Sequence, residues 1–548
     1  MEHFENVQRL TGAFGFYQIR MVVATQLGYL AITGSLLTAI YDTLTPKQLN
    51  CSLANATTLQ LDPASDYRSL LYDLGLVCAE SYVATLFSQC AMTGGVIGAV
   101  VYGFLADRFG RRYTLLVPMA LVCVLHAAMA LFGAYNVVVA VLLTFFIGLN
   151  AGGWMVVNIV VLLEFIADQY WRLGAVAVNG WPAGLMTMAL VGYVTQNWRW
   201  YHACMSVLAA GCLLLLVFFT DESARWLVQH DRQKEAVVIL EKVAMVNGKR
   251  HVDVRAAMHA PLTTPDSSHA PQHSSEHNRE SIEATGARNG LAVEAVHLED
   301  RKYTYWDLTK NKRVLKHLLC LTYSWLSSAI ISFAIYHLLS HLSGNRFLNT
   351  ALTGLFKGAT GVIPFVIGSC VGRKPILLVA VSCAAVSCWA AFAILLVTGS
   401  TQSTWITVFS VMGAAAIDPI WKVNHLYSGE LFPTVVRNMA RAVCNLGSRT
   451  GSLLGPAVAY LSDVLHPAAP YFLFGVLATV QLVLSAVGLP ESKGKRMPDQ
   501  LFDALTVDED TAKLTLKTHA EIGQHTADDG EPKALAHEAR STGERGNL

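Results

Sequence analysis

The sequence predicts an all-α polytopic membrane protein, with twelve transmembrane helices arranged as two pseudo-symmetric halves of six. Of its 548 residues, 53% are hydrophobic and only 14% are charged, a balance that suits lipid rather than water. Apolar runs of roughly 20 residues, long enough to cross the bilayer, recur from Ile19 to Leu489. The predicted spans are 19–41, 83–105, 113–133, 137–165, 174–195, 201–219, 315–339, 348–371, 376–397, 404–428, 437–461 and 470–489.

A long polar stretch separates the first six spans from the last six. The predicted divisions are an N-terminal bundle at 1–219 with an outer loop at 42–82, a connection at 220–313, a C-terminal bundle at 314–490 and a tail at 491–548. Ala236, Leu240, Val243 and Ala244 have the spacing of a helix with one buried stripe, so the connection should begin as a helix. Its remainder and the tail lack periodicity and are predicted to be mostly disordered.

An internal repeat supports the division into halves. Three pairs of segments recur at offsets of 265, 266 and 269 positions: Gly103–Arg112 (GFLADRFGRR) with Gly368–Lys374 (GSCVGRK), Glu164 with Glu430, and Glu222-Ser223 with Glu491-Ser492. Parallel repeats of six spans with a site near the bilayer midplane are typical of membrane carriers.

The distribution of basic residues predicts the orientation. The short loops on one side hold seven arginines and lysines, at 108, 111, 112, 172, 373, 374 and 437, whereas those on the other side hold only Arg199 and Arg346. By the positive-inside rule, both termini should be cytoplasmic. The first apolar stretch lacks a basic leader and a small-residue cleavage site, so it is interpreted as a retained span.

The predicted outer loop carries signals that agree with this orientation. Cys51 and Cys78 are the cysteines that fall clearly in it, and a disulfide between them is plausible in an oxidising compartment. Asn50 and Asn55 begin glycosylation sequons, which are used only if the loop faces the secretory lumen.

Motifs distributed along nearly the whole chain resemble the organic cation, organic anion and carnitine transporter family of the major facilitator superfamily. They are Gly15–Gln18, Asp73–Cys78, Gly103–Arg112, Trp198–Trp200, Glu222–Leu227 (ESARWL), Ala244–Lys249, Glu430–Asn438 (ELFPTVVRN) and Leu489–Asp499. There are three departures: Asp221 stands where the family has proline, Ser369 where it has aspartate, and the outer loop is short.

The resemblance implies a gate at the cytoplasmic side. Its predicted members are Asp107, Arg108, Arg111, Arg112, Glu164, Arg172, Glu222, Arg225, Glu430 and Arg437. In such a gate, ion pairs across the two halves close the inner side and break when it opens. Separate salt bridges with no dependence on conformation are the alternative.

Three cations fall deep inside predicted spans, where an ionisable side chain is costly unless it is paired or hydrated. Arg449 takes the position at which the family's cation carriers have aspartate and its anion and carnitine carriers have arginine. Lys357 likewise replaces an acidic residue of the cation carriers. Lys422 lies four residues after Asp418, so pairing within one helix is as well supported as contact with a ligand.

Aromatic side chains of the seventh span complete the predicted site. Trp325, Phe333 and Tyr336 are the candidates, with Phe333 matching one of two tandem aromatic residues of the family and Ser332 standing in place of the other. Flat apolar walls accept many shapes while a few charges orient the ligand. For Tyr336, packing against lipid is the alternative interpretation.

These features predict a plasma-membrane secondary transporter of small organic carboxylates that works by alternating access. The expected partners are the anion, a counter-substrate dicarboxylate or coupling ion, and the lipid bilayer. No enzyme motif, nucleotide loop, cofactor, metal site or nucleic-acid signal is found in the sequence. A zwitterion carrier resembling those for carnitine, and a receptor that keeps the fold without transport, are the alternatives.

Overall fold

The computed structural model describes residues 2–44, 67–76, 82–168, 171–172, 174–175, 178–259, 304–433 and 436–493. The predicted sequons at Asn50 and Asn55 and the Cys51–Cys78 pair lie outside these residues. So do the connection between 260 and 303 and the tail beyond Lys493.

Among the described residues, twelve helices are at least 15 residues long, and we number them in chain order. They are α1 (Phe16–Leu36), α2 (Tyr82–Phe109), α3 (Arg111–Phe132), α4 (Val137–Phe165), α5 (Trp181–Thr195), α6 (Trp198–Phe219), α7 (Lys312–Leu338), α8 (Arg346–Gly361), α9 (Arg373–Thr398), α10 (Thr404–Glu430), α11 (Arg437–Val464) and α12 (Ala469–Gly488). Shorter helices include Ala39–Asp42, Leu70–Asp73, Ile363–Val371 and Gln233–Val246. The all-α prediction is confirmed.

Ten of these segments are long and apolar enough to cross a membrane by composition alone, with α1 and α8 counted together with the short helices that follow them. The other two are α5, which has only 15 residues, and α11, which carries several arginines. Both are packed within the bundle, α5 against α1 and α8, and α11 against α7 and α2. Protein neighbours therefore cover the helices that hydropathy alone does not identify.

The two halves meet through two helix pairs, α5 with α8 and α2 with α11. The internal repeat relates α2 to α8 and α5 to α11, so the two contacts are equivalent under it. Within the α5–α8 contact the helices pack closely at Gly354, where an added Cβ atom would lie 2.7 Å from the Pro182 carbonyl oxygen. Such small-residue contacts are a common means of packing helices in membranes.

Two ends of the bundle are distinguished below. The arginine end carries Arg111 and Arg373, at the starts of α3 and α9. The loop end carries Asp42 and Tyr82, between which the predicted outer loop runs.

Aromatic residues join the two halves at the loop end. The Phe347 ring of α8 lies 5.4 Å from Tyr41, 5.9 Å from Tyr67 and 6.1 Å from Tyr193, measured between ring centroids. Phe347, Tyr41 and Tyr67 are buried, while Tyr193 is exposed at the edge. We call these four rings the aromatic seal, because they fill the loop end between the halves.

The structure corrects three boundaries. The helix Ala39–Asp42 extends α1 beyond the predicted end of the first span, so Asp42 is buried rather than part of an outer loop. The fifth long helix begins at Trp181 rather than at position 174. The eighth span is interrupted at Val362, just before Ile363-Pro364, because Pro364 has no N–H to continue the helical hydrogen bonds and its ring clashes with the carbonyl group four residues before it.

Candidate functional site

Arg449 lies on α11 about 18 Å along the helix from its start at Arg437, close to the middle of a bilayer. Its guanidinium has no acidic partner in the described part of the chain, and its Nε atom is buried without a hydrogen-bond partner. The group that interacts with it electrostatically is the Tyr29 hydroxyl of α1, in the other half. An unpaired arginine at this depth can take an anionic ligand in a bidentate manner.

Further unpaired polar groups surround Tyr29. The Tyr29 ring stands edge-on to Trp154 at 5.2 Å, and its hydroxyl approaches Asn158 without forming a hydrogen bond of ordinary geometry. Both amide atoms of Asn158 and the indole Nε1 of Trp154 are buried and unpaired. Buried polar groups normally find partners, so this cluster has donors and acceptors available for a ligand.

The two other predicted cations share one carboxylate. Lys357 of α8 and Lys422 of α10 place their Nζ atoms 3.6 and 3.7 Å from Asp418, and all three side chains are buried. Lys357 also donates to the Ala414 carbonyl oxygen at 3.1 Å. Lys357 is thus not an unopposed charge, and the three groups together carry one net positive charge.

The aromatic candidates form two groups. In the first, Trp181 of α5 donates from Nε1 to the Tyr336 hydroxyl at 3.1 Å, with Phe333 5.9 Å from the Trp181 ring. In the second, Trp325 stands edge-on to Trp421 at 5.4 Å. Tyr336 lies between the halves and is only 4% exposed, so the lipid-facing alternative is wrong. Its ring lies 5.8 Å from the Nζ atom of Lys357.

The sequence analysis selected no contact residue from the first half, and the structure adds four: Tyr29, Trp154, Asn158 and Trp181. A signal for Asn158 was present, because an amide inside an apolar helix needs a partner. Trp181 is followed by proline at the start of a helix, which marks its position but not the partner that it finds in the second half. Among the described residues, no group of metal-ligating side chains could hold an ion.

At the arginine end of the first half, Glu222 binds the start of α3. Its carboxylate accepts hydrogen bonds from the backbone N–H groups of Arg111 at 2.7 Å and Arg112 at 3.2 Å. The Arg111 side chain bridges Asp107 at 2.8 Å and Glu164 at 3.1 Å. A carboxylate at a helix N-terminus satisfies unpaired N–H groups and complements the helix dipole.

The second half repeats this arrangement. Glu491 accepts from the backbone N–H groups of Arg373 at 3.0 Å and Lys374 at 2.9 Å, at the start of α9. Arg373 reaches Glu430 at 3.2 Å, and the Ser492 hydroxyl donates to Glu430 at 2.6 Å. Two equivalent clamps therefore hold the turns before α3 and α9.

The clamps fix the register of the repeat. Gly110 and Gly372 both adopt positive φ, at 103° and 94°, immediately before the clamped helices. These glycines are 262 positions apart, so the offset of 265 taken from Gly103 and Gly368 is wrong at this point. The turn before α9 is three residues shorter than the turn before α3. The structurally equivalent glycines are therefore Gly110 and Gly372, not Gly103 and Gly368.

The acidic residues of the predicted gate have partners within their own halves. Glu164 pairs with Arg111 and Glu430 with Arg373, and neither described contact crosses between the halves. The expected cross-half pairs are therefore not formed by Glu164 and Glu430 in this conformation. Arg225 contacts Glu5 at 3.6 Å, and the Arg172 Nε atom donates to the Ile166 carbonyl oxygen.

Three further arginines of the predicted gate have side-chain contacts outside these clamps. The Arg108 guanidinium lies over the Phe109 ring, and Arg112 donates to the Val217 carbonyl oxygen at 3.0 Å. Arg437 donates from Nε to the Phe432 carbonyl oxygen at 3.3 Å. A role in gating stays a prediction for all of these residues.

Comparisons with known proteins agree with this architecture. Residues 20–272 match the family model "Sugar (and other) transporter", and residues 317–520 match "Major Facilitator Superfamily". In solved structures, the chain is similar in fold to the proton:xylose symporter XylE bound to 6-bromo-6-deoxy-D-glucose, with a TM-score of 0.59 and 17% identity over 88% of this chain and 98% of that one. The partially occluded inward open conformation of the xylose transporter XylE from E. coli gives the same TM-score, 0.59.

Curated relatives cover most of the chain. Solute carrier family 22 member 2 of Rattus norvegicus is 26% identical over 83% of this chain and 75% of its own length. Solute carrier family 22 member 15-like of Xenopus laevis is 27% identical over 81% of this chain and 83% of its own. Solute carrier family 22 member 7 of Mus musculus is 26% identical over 85% and 79%. These matches confirm the resemblance of this multi-pass membrane protein to the organic cation, organic anion and carnitine transporter family of the major facilitator superfamily, whose members are transporters rather than enzymes.

Proposed function

We propose that this protein is a plasma-membrane secondary transporter of small organic carboxylates, with its arginine end and both termini in the cytoplasm. The observation that carries the proposal is the unpaired guanidinium of Arg449, near mid-membrane and facing Tyr29 of the other half. A fixed positive charge in a low-dielectric site attracts anions strongly and repels cations. The net positive charge of the Lys357–Asp418–Lys422 group adds to this potential.

The unpaired groups around Tyr29 supply the other contacts. In this assignment, Arg449 takes the carboxylate, Asn158 and Trp154 donate hydrogen bonds, and Trp181 with Phe333 lines the apolar side. Leaving these donors without a ligand is costly, so a bound carboxylate stabilises groups from both halves at once. Binding therefore favours a compact arrangement of the halves around the solute.

Alternating access follows from the contacts at the two ends. The aromatic seal closes the loop end in this conformation, so the solute would exchange at the arginine end. To face the loop end, the carrier must separate Phe347 from the seal tyrosines and bring the clamps of the two halves together. The clamps hold α3 and α9 to their own halves, so each half can move as a rigid body.

A zwitterionic cargo is less well supported. Its ammonium group would need an unopposed acid near Arg449, but Asp418 is held between two lysines. Organic cations face the same obstacle. We therefore expect carboxylates to be transported in preference to carnitine or quaternary ammonium ions.

Uptake of a panel of anionic, zwitterionic and cationic solutes tests the proposal. Labelled benzoate, glutarate, carnitine and tetraethylammonium are measured in cells expressing the wild type, Arg449→Asp and Arg449→Lys. Arg255→Asp is a matched control, because it makes the same charge change on an exposed helix outside the bundle. Surface biotinylation normalises each variant for the amount at the plasma membrane.

We expect the wild type to take up carboxylates, Arg449→Asp to lose at least about 99% of that uptake at low substrate, and Arg255→Asp to match the wild type. Removing one partner from a buried charged contact costs about 3 kcal/mol, or roughly a hundredfold in affinity. Arg449→Lys should retain part of the activity, since it keeps the charge but loses the bidentate geometry. Carboxylate uptake that survives Arg449→Asp would refute the assignment, and uptake of none of these compounds would favour a non-transporting receptor.

A further inference from the structure

A continuous chain of buried hydrogen-bonding groups crosses the first half, away from Arg449. The Ser35 hydroxyl of α1 lies 2.8 Å from Nε2 of His126 on α3, and Nδ1 of His126 lies 2.7 Å from Nδ1 of His202 on α6. Nε2 of His202 lies 3.0 Å from the Asp42 carboxylate, whose other oxygen accepts from Thr38 at 2.9 Å. All five side chains are fully buried, at 0% exposure. The direct contact between the ring nitrogens leaves no room for a metal ion between them.

The hydrogen count of this chain defines a first state. A contact between two ring nitrogens requires one hydrogen, so one imidazole donates and the other accepts. With Asp42 ionised and both histidines neutral, Ser35 donates to His126, His126 donates to His202, and His202 donates to Asp42. Every contact is satisfied, and the chain carries one negative charge.

A second state is available with one more proton. The Ser35 hydroxyl also lies 2.8 Å from the Ala31 carbonyl oxygen, so it can turn its single hydrogen there. His126 then carries a hydrogen on each ring nitrogen and donates from Nε2 to the Ser35 oxygen and from Nδ1 to His202. All contacts are again satisfied, while an imidazolium and a carboxylate leave the chain neutral overall. The same atoms therefore hold the chain with or without the extra proton.

Within the described residues, the surroundings of this hydrogen-bonded chain offer no other charge partner at ion-pair distance. The titratable groups that face the chain are Tyr41 and Tyr67 near Asp42, Tyr201 beside His202, and Arg346, which acts on Tyr41 from α8. The described ion pairs give Asp42 only His202, and no lysine or arginine. Asp73 is separated from the chain by Trp198, whose ring stands edge-on to His202. A buried negative charge with no cation is costly, which favours uptake of the proton.

We infer that the Ser35–His126–His202–Asp42 chain binds one proton and that the protein transports its solute together with that proton. This inference rests on the proposed anion transport and adds the coupling ion to it. The proton adds one positive charge and the carboxylate one negative charge. The fully loaded carrier therefore has the same net charge as the empty carrier, and both can reorient with the same buried charge.

The chain is placed where reorientation of the halves would be sensed. Asp42 follows Tyr41, and Tyr41 is a member of the aromatic seal against Phe347 of α8. The preceding helix α1 carries Ser35 of the hydrogen-bonded chain and Tyr29, which faces Arg449. Protonation near the end of this first span and binding of the anion near its middle thus act on one continuous segment, which provides the physical link between the two ligands.

Proteoliposomes loaded to an inside pH of about 7.5 and diluted to an outside pH of about 5.5 test the inference. The wild type, Asp42→Asn and His126→Gln are compared for accumulation of labelled gluconate, a hydrophilic monocarboxylate whose neutral acid does not cross lipid readily, with and without a protonophore. His337→Gln is the matched control, a partly buried histidine on α7 that lies outside the hydrogen-bonded chain. Gluconate counterflow at equal pH is measured in parallel, because exchange requires the anion site but no net proton movement.

We expect the wild type and His337→Gln to accumulate gluconate at least about tenfold above the outside concentration, and the protonophore to abolish this accumulation. Asp42→Asn and His126→Gln should keep counterflow but lose accumulation. Accumulation that ignores the pH gradient, or that survives in Asp42→Asn, overturns the proton site while leaving anion transport intact. Loss of counterflow in these variants together with correct folding would also overturn it, because the chain would then belong to the anion site.

Failure of wild-type counterflow for every carboxylate would instead reject the proposed function. The proton site is then decided by infrared difference spectra of the purified protein between about pH 5 and pH 8. Imidazole bands that titrate in the wild type and disappear in His126→Gln support the site. Spectra that are unchanged by the substitution exclude it.

Discussion

Replacing Asp418 by asparagine should destabilise the protein severely, because one carboxylate neutralises two buried lysines. At an effective dielectric constant of about 20, a unit charge pair at the observed 3.6 and 3.7 Å is attracted by about 4 to 5 kcal/mol. Mutual repulsion of the lysines and the cost of burying them reduce the net value. Removing one partner of a buried ion pair typically costs about 3 to 5 kcal/mol, which is a large fraction of a typical folding free energy.

The two lysines are not equivalent in this group. Lys357 has a second contact, to the Ala414 carbonyl oxygen, whereas Lys422 has only Asp418 among its described polar contacts. Lys422→Met would leave a one-to-one pair and remove the surplus positive charge. We therefore expect Lys422→Met to be within about 1 kcal/mol of the wild type, while Asp418→Asn loses about 3 kcal/mol or more.

Thermal unfolding of purified protein in one detergent measures both variants. Asp463→Asn is the matched control, since it makes the same isosteric change at an exposed position of α11. Equal melting temperatures for Asp418→Asn and Asp463→Asn would refute the reasoning. A loss in Lys422→Met as large as that in Asp418→Asn would refute the surplus-charge part of it. If Lys422→Met is stable but loses anion uptake, its charge contributes to the substrate site.

Four further predictions concern the ends of the bundle. Gly110→Ala should lower the free energy of unfolding by about 1 to 3 kcal/mol, because φ is 103° there and the new Cβ atom would lie 2.4 Å from a carboxylate oxygen of Glu222. Gly103→Ala is the control for thermal unfolding. Its new Cβ atom meets no atom within 4 Å, so this variant should be neutral or slightly stabilising. Burial raises the pKa of Glu222. Its contribution to folding stability is therefore greatest at acid pH and falls as pH rises from the usual glutamate pKa to the raised pKa. Glu222→Gln should make the free energy of unfolding less dependent on pH over that range. Burial acts to raise the pKa of Glu491, but hydrogen bonds from backbone N–H groups hold this pKa below the usual glutamate range. The stability that the Glu491 carboxylate contributes is therefore lost as pH falls through the lowered pKa. Glu491→Gln should be less stable than the wild type at neutral pH. Phe347→Ala should loosen the aromatic seal and raise the rate of hydrogen–deuterium exchange at the loop-end turns of α5 and α8. An unchanged exchange rate would show that the aromatic seal does not hold the two halves together.

Periodicity and composition were sufficient to predict the helices because lipid imposes a length and an apolar character on each span. The deviations have local physical causes. The break at Val362 follows from Pro364, a signal that was present but was not used. Asp42 was assigned to a loop because an acid ends the apolar run, and its burial depends on His202 and Thr38, which the sequence cannot place beside it.

The candidate site was less predictable because its contacts cross between helices. The unusual character of Arg449 was visible as a charge deep inside a span, and its lack of an acidic partner among the described residues agrees with that interpretation. Neutralisation of Lys357 could not be derived, since Asp418 lies on another helix and periodicity gives no distance between helices. Tyr336 illustrates the same limit: its partner Trp181 belongs to the other half of the repeat, which no spacing along the chain relates to it.

The two halves have equivalent clamps at the turns before α3 and α9, but they differ in the charged groups buried inside the membrane. The clamp distances repeat closely, with 2.7 and 3.0 Å to the first backbone N–H and 3.1 and 3.2 Å between arginine and glutamate. Inside the membrane, however, the first half has a histidine–aspartate chain that can gain one proton, whereas the second half has a lysine–aspartate group in which the carboxylate is already neutralised. On the proposed proton coupling, loading of the carrier with a proton would therefore alter the charge of the first half and leave the lysine–aspartate group of the second half as it is. Such an asymmetry would let a proton act on the first half alone, although the two halves have the same helix arrangement and equivalent clamps.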